Sequence, residues 1–372
     1  MRLALVLGAI ALAAAGCSAS SGPQPAIQVS VSHCGEGWSH PHAGRQTLQI
    51  RNTGNVSAEA YLIETGSGQV YGELENLSPG TTRAMTVDLG GGGFALRCAP
   101  DDADPITGPV ARISGPAKTG IGIVPVSTAD LYGPVKQYEK YVSGRLPGLV
   151  ARTEALRSAI DSGDLSAARA AWLPAHLEYE RLGAAYGAFG DFDSKINGRP
   201  DGLPKGVADP DFTGFHRVEY GLWHGEPAVS LRVPAGRLSA DVKALQADFP
   251  KEQVDPLDLG LRAHEILEAT LRFELSGAAD QGSGSSLATA SANIAGTEAV
   301  LDTLRPLLVS RFPGLADVEA RLARLDGLLK THLGTPVAGL AQPDREKIDA
   351  ATGDVLERLA KVAAICAPRR TS

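Results

Sequence analysis

At 372 residues, 43% of them hydrophobic, the chain is long enough for two domains with substantial cores. Its formal net charge of −7 gives no sign of a nucleic-acid partner, which a basic surface would meet, and suits a carrier of cations. Past the N-terminus no stretch approaches the ~20 consecutive apolar residues of a membrane-spanning helix.

The chain begins MRLALVLGAIALAAAGCSAS: one arginine, an apolar run, small residues, then Cys17. That order predicts a secretory signal over residues 1–16 ending in a lipoprotein-like cleavage box. On this reading Cys17 is the lipidated first residue and residues 17–26 are a polar tether. The protein is then exported and anchored to the membrane as a cell-surface or periplasmic lipoprotein; ordinary secretion is the alternative.

Residues 27–114 read as β. The runs AIQVSVSHC, QTLQIRN, EAYLIET, TRAMTVDL, GFALRCA and PVARISG are separated by the turn clusters NTGN, SPGTT and GGGG. Six or seven short strands at that spacing predict a sandwich. Cys34 and Cys98 carry two readings. One is a disulfide, the default in an exported domain. The other is a second metal site for copper or iron, with Glu36, His40, His42 and Asp101 or Asp102. A blue-copper centre is not expected, because Cys98 is followed by APDDAD with neither His nor Met.

Residues 115–129 read as a linker, after which the hydrophobic period changes. From 130 to 366, apolar residues at three-and-four spacing predict a bundle of seven or eight helices. A kink is expected near Pro147, and GAADQGSGSSLATA reads as a flexible joint between two halves. Cys366 is expected to be a buried or weakly reactive thiol.

Potential ligands concentrate from Trp172 to Glu226. His176 and Glu180 lie one helical turn apart, and in GFHRVEYGLW, with Thr213 as cap, His216 lies three residues before Glu219. Between them, Gly198, Pro200, Gly202, Pro204, Gly206 and Pro210 predict a long ordered loop without helix from Gly190 to Phe212. Buried carboxylates need a cation, so Glu180 and Glu219 point to a metal unless Arg181 or Arg217 neutralises them. Glu178 reads as a solvated charge, and His224 and His332 as peripheral. In AHEILEATLRFELSG, Glu265 and Glu268 share a face. The second imidazole of a zinc-peptidase H-E-x-x-H is absent, and ion pairs with Arg262 or Arg272 are the competing explanation.

GFHRVE fits a G-x-H-x-x-E pattern, and with the run from Tyr179 through INGRPDGLP to EYGLWHGE it resembles the imelysin-like family over residues 125–366. A small β-domain followed by a bundle is similar to the longer type in that family, the iron-binding lipoproteins of Efe-type iron-uptake systems, whose first domain is cupredoxin-like. The resemblance implies that Glu180, His216, Glu219 and Glu265 line an interhelical metal cleft, with His176 and Asp193 as further candidates. It implies iron as Fe3+ or Fe2+, with copper or zinc as other metals, and an iron permease and a haem peroxidase as partners. Asn197 and Gly183 stand where some relatives carry acidic residues, which Asp191 or Asp193 would compensate. A non-enzymatic carrier is implied; the rival readings are a metal-dependent peptidase and a binder of metal-bridged acidic polysaccharide.

Overall fold

The computed structural model describes residues 25–116 and 120–370. The expected signal segment, lipidated Cys17 and all of the tether up to residue 24 lie outside the described residues. The chain divides into two compact units, Met1–Gly122 and Ile123–Ser372.

The first unit is a two-sheet sandwich of eight strands among the described residues. β1 (Ile27–Val29), β2 (Gly44–Asn52) and β5 (Thr82–Leu89) form one sheet in the order β1-β2-β5. β4 (Val70–Leu77), β3 (Ala58–Glu64) and β6 (Gly92–Pro100) form the other, and the short β7 (Ile106–Thr107) and β8 (Ala111–Ile113) both pair with β6. β2 shows the alternation that makes a half-buried strand: Leu48 and Ile50 point inward while Thr47 and Gln49 are exposed. Leu48, Ile50, Leu62, Val87, Phe94 and Leu96 fill the space between the sheets. Cys34, on the connection after β1, is bonded to Cys98 of β6 with a Cα–Cα distance of 5.8 Å, so the disulfide links the two sheets.

The second unit is helical, with nine α-helices among the described residues. α1 (Thr128–Ser162) starts at a capping box in which Ser127 and Asp130 bond each other's backbone. It runs as one helix through Pro134 and Pro147 and stops at Gly163, whose left-handed φ of 83° ends the helix at a residue without a Cβ. α2 (Leu165–Glu180), α3 (Asp191–Asn197), α4 (Gly214–Trp223) and α5 (Ala228–Asp248) follow, then α6 (Pro256–Ala269), α7 (Ser286–Arg311), α8 (Leu315–Lys330) and α9 (Gln342–Cys366). α1 packs against α2 and α5, while α6 packs against α7 and α9. The core is aromatic near the middle of the bundle, where Trp172, Tyr138, Tyr179, Phe189 and Phe215 are fully or almost fully buried.

Two expectations need correction. DFDSKIN, free of Gly and Pro, forms α3 inside the stretch expected to lack helix; the breakers act only from Gly198 onward. GAADQGSGSSLATA is no flexible joint: residues 286–290 belong to α7, and the rest, between α6 and α7, which pack on each other, is tied down by Asp280 Oδ1, which accepts from Gly282 N (2.8 Å) and Gly284 N (3.1 Å).

Candidate functional site

A cleft of about 500 Å³ is lined by Glu180 from α2, Gly183 and Tyr186 from the turn after it, Asp193 and Asn197 from α3, His216 from α4, Glu265 from α6 and Asn293 from α7. Local geometry explains how His216 arrives there. Gly214 opens α4 at a φ of +81°, and a Cβ at that position would stand 2.2 Å from the Ile196 carbonyl oxygen. The glycine of G-x-H-x-x-E therefore lets α4 start against the end of α3. Thr213 occupies the cap position by backbone, but its hydroxyl donates to Lys195 O (3.0 Å) and not to the helix. Trp172 Nε1 donates to Phe215 O (3.0 Å), which fastens α4 to α2.

His216 and Glu219 are both buried, yet they have different positions. Glu219 does not line the cleft. Its Oε2 accepts from His216 Nδ1 (3.1 Å), and its Oε1 accepts from Gln281 N (3.1 Å), Ser283 N (3.1 Å) and Ser283 Oγ (2.5 Å). Burial alone would push the Glu219 carboxyl up, but the bonds from His216 and Ser283 outweigh it and hold the group below the usual carboxylate range. An ionised acceptor at Nδ1 places the imidazole proton there and leaves the Nε2 lone pair free. Among the described residues Nε2 has no hydrogen-bond partner, and His216 is part of the cleft wall.

The second pair is a closed network. His176 Nε2 lies 3.0 Å from Glu180 Oε1 and 3.1 Å from Asn197 Oδ1, and Asn197 Nδ2 donates to the same Glu180 oxygen (2.7 Å). The Asn293 amide satisfies both its neighbours with its nitrogen toward Glu180 Oε2 (2.9 Å) and its oxygen toward Thr270 Oγ1 (3.0 Å). Burial raises the Glu180 pKa, but His176 and Asn197 more than reverse that and the group is lowered overall. His176 stacks on Trp172 at 4.8 Å and does not reach the cleft. Asn197 thus does what a carboxylate could not do beside Glu180: it donates to one partner and accepts from the other.

Asp193 lines the cleft and accepts from Tyr179 OH (2.6 Å); burial raises its pKa. Glu265 stands at the rim, paired with Arg262 (2.7 Å), its side chain 36% exposed. Glu268 is exposed, 3.7 Å from His264. The carboxylate that enters the buried centre from this part of the chain is Glu274, which the sequence reading does not single out. It closes a π-helical turn, Thr270–Glu274, that continues α6. Burial, then the nearby Glu180 charge, pushes its pKa up to about 8. The signal for it is the buried stripe Ala263, Leu267, Thr270, Glu274, whose last member is a carboxylate.

Arginines do not neutralise the two central carboxylates. Arg181 turns to Glu178 (3.6 Å) and Arg217 to Glu226 (3.0 Å). Glu178, expected to be solvated, is buried against Arg145 (2.8 Å) as well. At Gly183 a Cβ would meet Ile266 Cγ1 at 3.0 Å, so an acidic side chain there requires Ile266 to move. Asp191, exposed, does not line the cleft. Among the described residues no three His, Cys, Asp or Glu side chains are gathered as a metal site; each buried pair is engaged with itself. In the β unit, Cys34 and Cys98 are consumed by their bond, and His40 and His42 are exposed. Cys366 is buried and free, its pKa pushed up to about 12 by burial.

The family model for imelysin matches residues 134–363. The iron uptake system component EfeO of Escherichia coli O157:H7 is 29% identical over 336 residues, which cover 89% of this chain and 88% of that protein. The EfeO of Shigella flexneri gives the same identity and coverage. Among solved structures, a chain named as an iron-regulated protein A precursor from Parabacteroides distasonis covers 62% of this chain and 95% of its own length, at 14% identity and a TM-score of 0.48.

Proposed function

The chain belongs to the imelysin family, and from that premise we propose that it is an extracytoplasmic component of an iron-uptake system that captures iron in the bundle cleft and passes it to a membrane permease. The observation that carries this reading is His216. Its Nε2 lone pair is presented in the cleft by an ionised carboxylate behind the ring, the arrangement that orients and strengthens an imidazole ligand. Glu274 and Asp193 are the carboxylates closest in role, each kept from ready ionisation by burial and each lining the same cleft. An imidazole with carboxylates suits iron or zinc and disfavours copper(I), which prefers sulfur.

On this reading Glu180, with His176, Asn197 and Asn293, forms a reserve ligand that iron reaches only by breaking hydrogen bonds. A carrier benefits from that cost, because binding then stays reversible. Glu219 is engaged by four donors and is not placed to act as a general base, which favours a carrier over a hydrolase. Among the described residues no helix is long and apolar enough to cross a membrane. Attachment through a lipidated Cys17, and a haem peroxidase as a further partner, complete the proposal.

The test is titration of the full soluble chain with Fe(II) under anaerobic conditions and with Fe(III), alongside zinc and copper. Saturable iron binding that disappears in His216→Ala is expected. Equal binding by the parent and His216→Ala would remove the cleft from the account.

A further inference from the structure

Besides its carboxylates, the cleft is lined by three guanidinium groups, Arg199, Arg262 and Arg272. A site built for a bare cation has no use for them, since each opposes the entry of positive charge. Arg262 is neutralised in part by Glu265 (2.7 Å) and Asp258 (3.4 Å), although its Nε is buried without a hydrogen-bond partner. Arg199 and Arg272 have no carboxylate within ion-pair distance among the described residues. Both are held against one ring: Arg199 stands over Phe273 at 3.4 Å from its centroid and Arg272 at 5.0 Å. These cation–π contacts hold the two groups beside the ring without using their N–H donors, which can recognise carboxylates in pairs of parallel bonds.

We propose that the cleft takes iron together with a small chelating carboxylate, a di- or tricarboxylate that ligates the metal on one side and meets Arg199 and Arg272 on the other. The inference rests on the reading of the cleft as an iron site and names the form in which iron enters. Two further observations favour it. The protein atoms free to ligate in the cleft are few, because Glu180 is occupied by hydrogen bonds and Glu219 does not line it, so a chelator supplies donors the walls lack. The volume of about 500 Å³ also suits a small chelate and exceeds what a lone ion needs. An anionic or neutral chelate is drawn past the arginines that would repel the free ion.

The experiment uses the full soluble chain, ferric iron and isotopically labelled citrate, with gel filtration to separate bound from free. The parent is expected to retain iron and citrate in equal amounts. Arg199→Gln combined with Arg272→Gln, both outside the core, is expected to lose citrate retention while still taking up Fe(II) supplied without chelator. His216→Ala is expected to retain neither. Ferric iron retained by the parent as firmly without citrate as with it overturns the chelate proposal and leaves the iron site standing; so does citrate retention unaffected by the double variant. Labelled phosphate retained with iron as well as citrate is retained overturns the assignment of a carboxylate. No iron retained under any condition contradicts the iron reading itself.

Discussion

In the β unit the side chains best able to bind a metal are either closed into the Cys34–Cys98 bond or left in solvent, as His40 and His42 are. In the helical unit Glu180, His216, Glu219 and Glu274 are buried. A small sandwich gains stability from a covalent link between its sheets, and sulfur used that way is lost to coordination chemistry. The larger bundle has core enough to tolerate buried charge, which is expensive unless it serves something else. On the proposed reading the first unit is structural and the second carries the chemistry.

The strongest way to break that contrast is at the imidazole. His216→Ala is expected to weaken iron binding by more than 100-fold, and Glu219→Gln, which removes only its orientation, by about 10- to 100-fold. Glu265→Gln at the rim should change little. Competition against a chelator of known affinity ranks the three, and a larger effect at Glu265 than at His216 would reverse the assignment.

Replacing both Cys34 and Cys98 by Ser is expected to destabilise the β unit by about 2–5 kcal/mol. Denaturant unfolding reads that loss, while iron affinity should stay at the parent value. Affinity falling along with stability would give the β unit a share of the metal.

Glu274 gives a pH signature. Its folded pKa is raised to about 8 from 4.5, so between those values the folded state binds more protons than the unfolded chain. Stability from this group is fully present below pH 4.5 and is lost as pH rises through 8. Glu274→Gln should therefore flatten the fall in stability between pH 4.5 and about 8, with melting above that range shifted up by about 2–4 °C for each kcal/mol relieved. Parallel melting curves for parent and variant from pH 5 to pH 9 would show that Glu274 is not held protonated.

The smallest effect is at Gly183. Gly183→Ala presses on Ile266 Cγ1 and is expected to cost about 1 kcal/mol, read by denaturant unfolding. Iron affinity should not follow.

Local spacing made much of this legible. GFHRVE brings His216 and Glu219 onto one helical face whatever surrounds them, and alternation in runs such as QTLQIRN marks the strands. Which member of the pair faces the cleft is not local: it is decided by Gln281 and Ser283, 62 and 64 positions away from Glu219. Glu274 escapes a reading of the run for Glu265 and Glu268, because the buried stripe of Ala263, Leu267, Thr270 and Glu274 falls on another face. The family resemblance favours Glu265, and it is the competing explanation, an ion pair with Arg262, that the structure contains. For the cysteines, sequence offered both a bond and a ligand pair; only the proximity of their strands, with Cα atoms 5.8 Å apart, separates the two.

The most direct measurement is anomalous scattering at the iron edge from crystals of the iron-loaded protein. The account predicts an iron peak in the bundle cleft within bonding distance of His216 Nε2 and a Glu274 oxygen. A peak in the β unit, or in the cleft but away from His216, would contradict it.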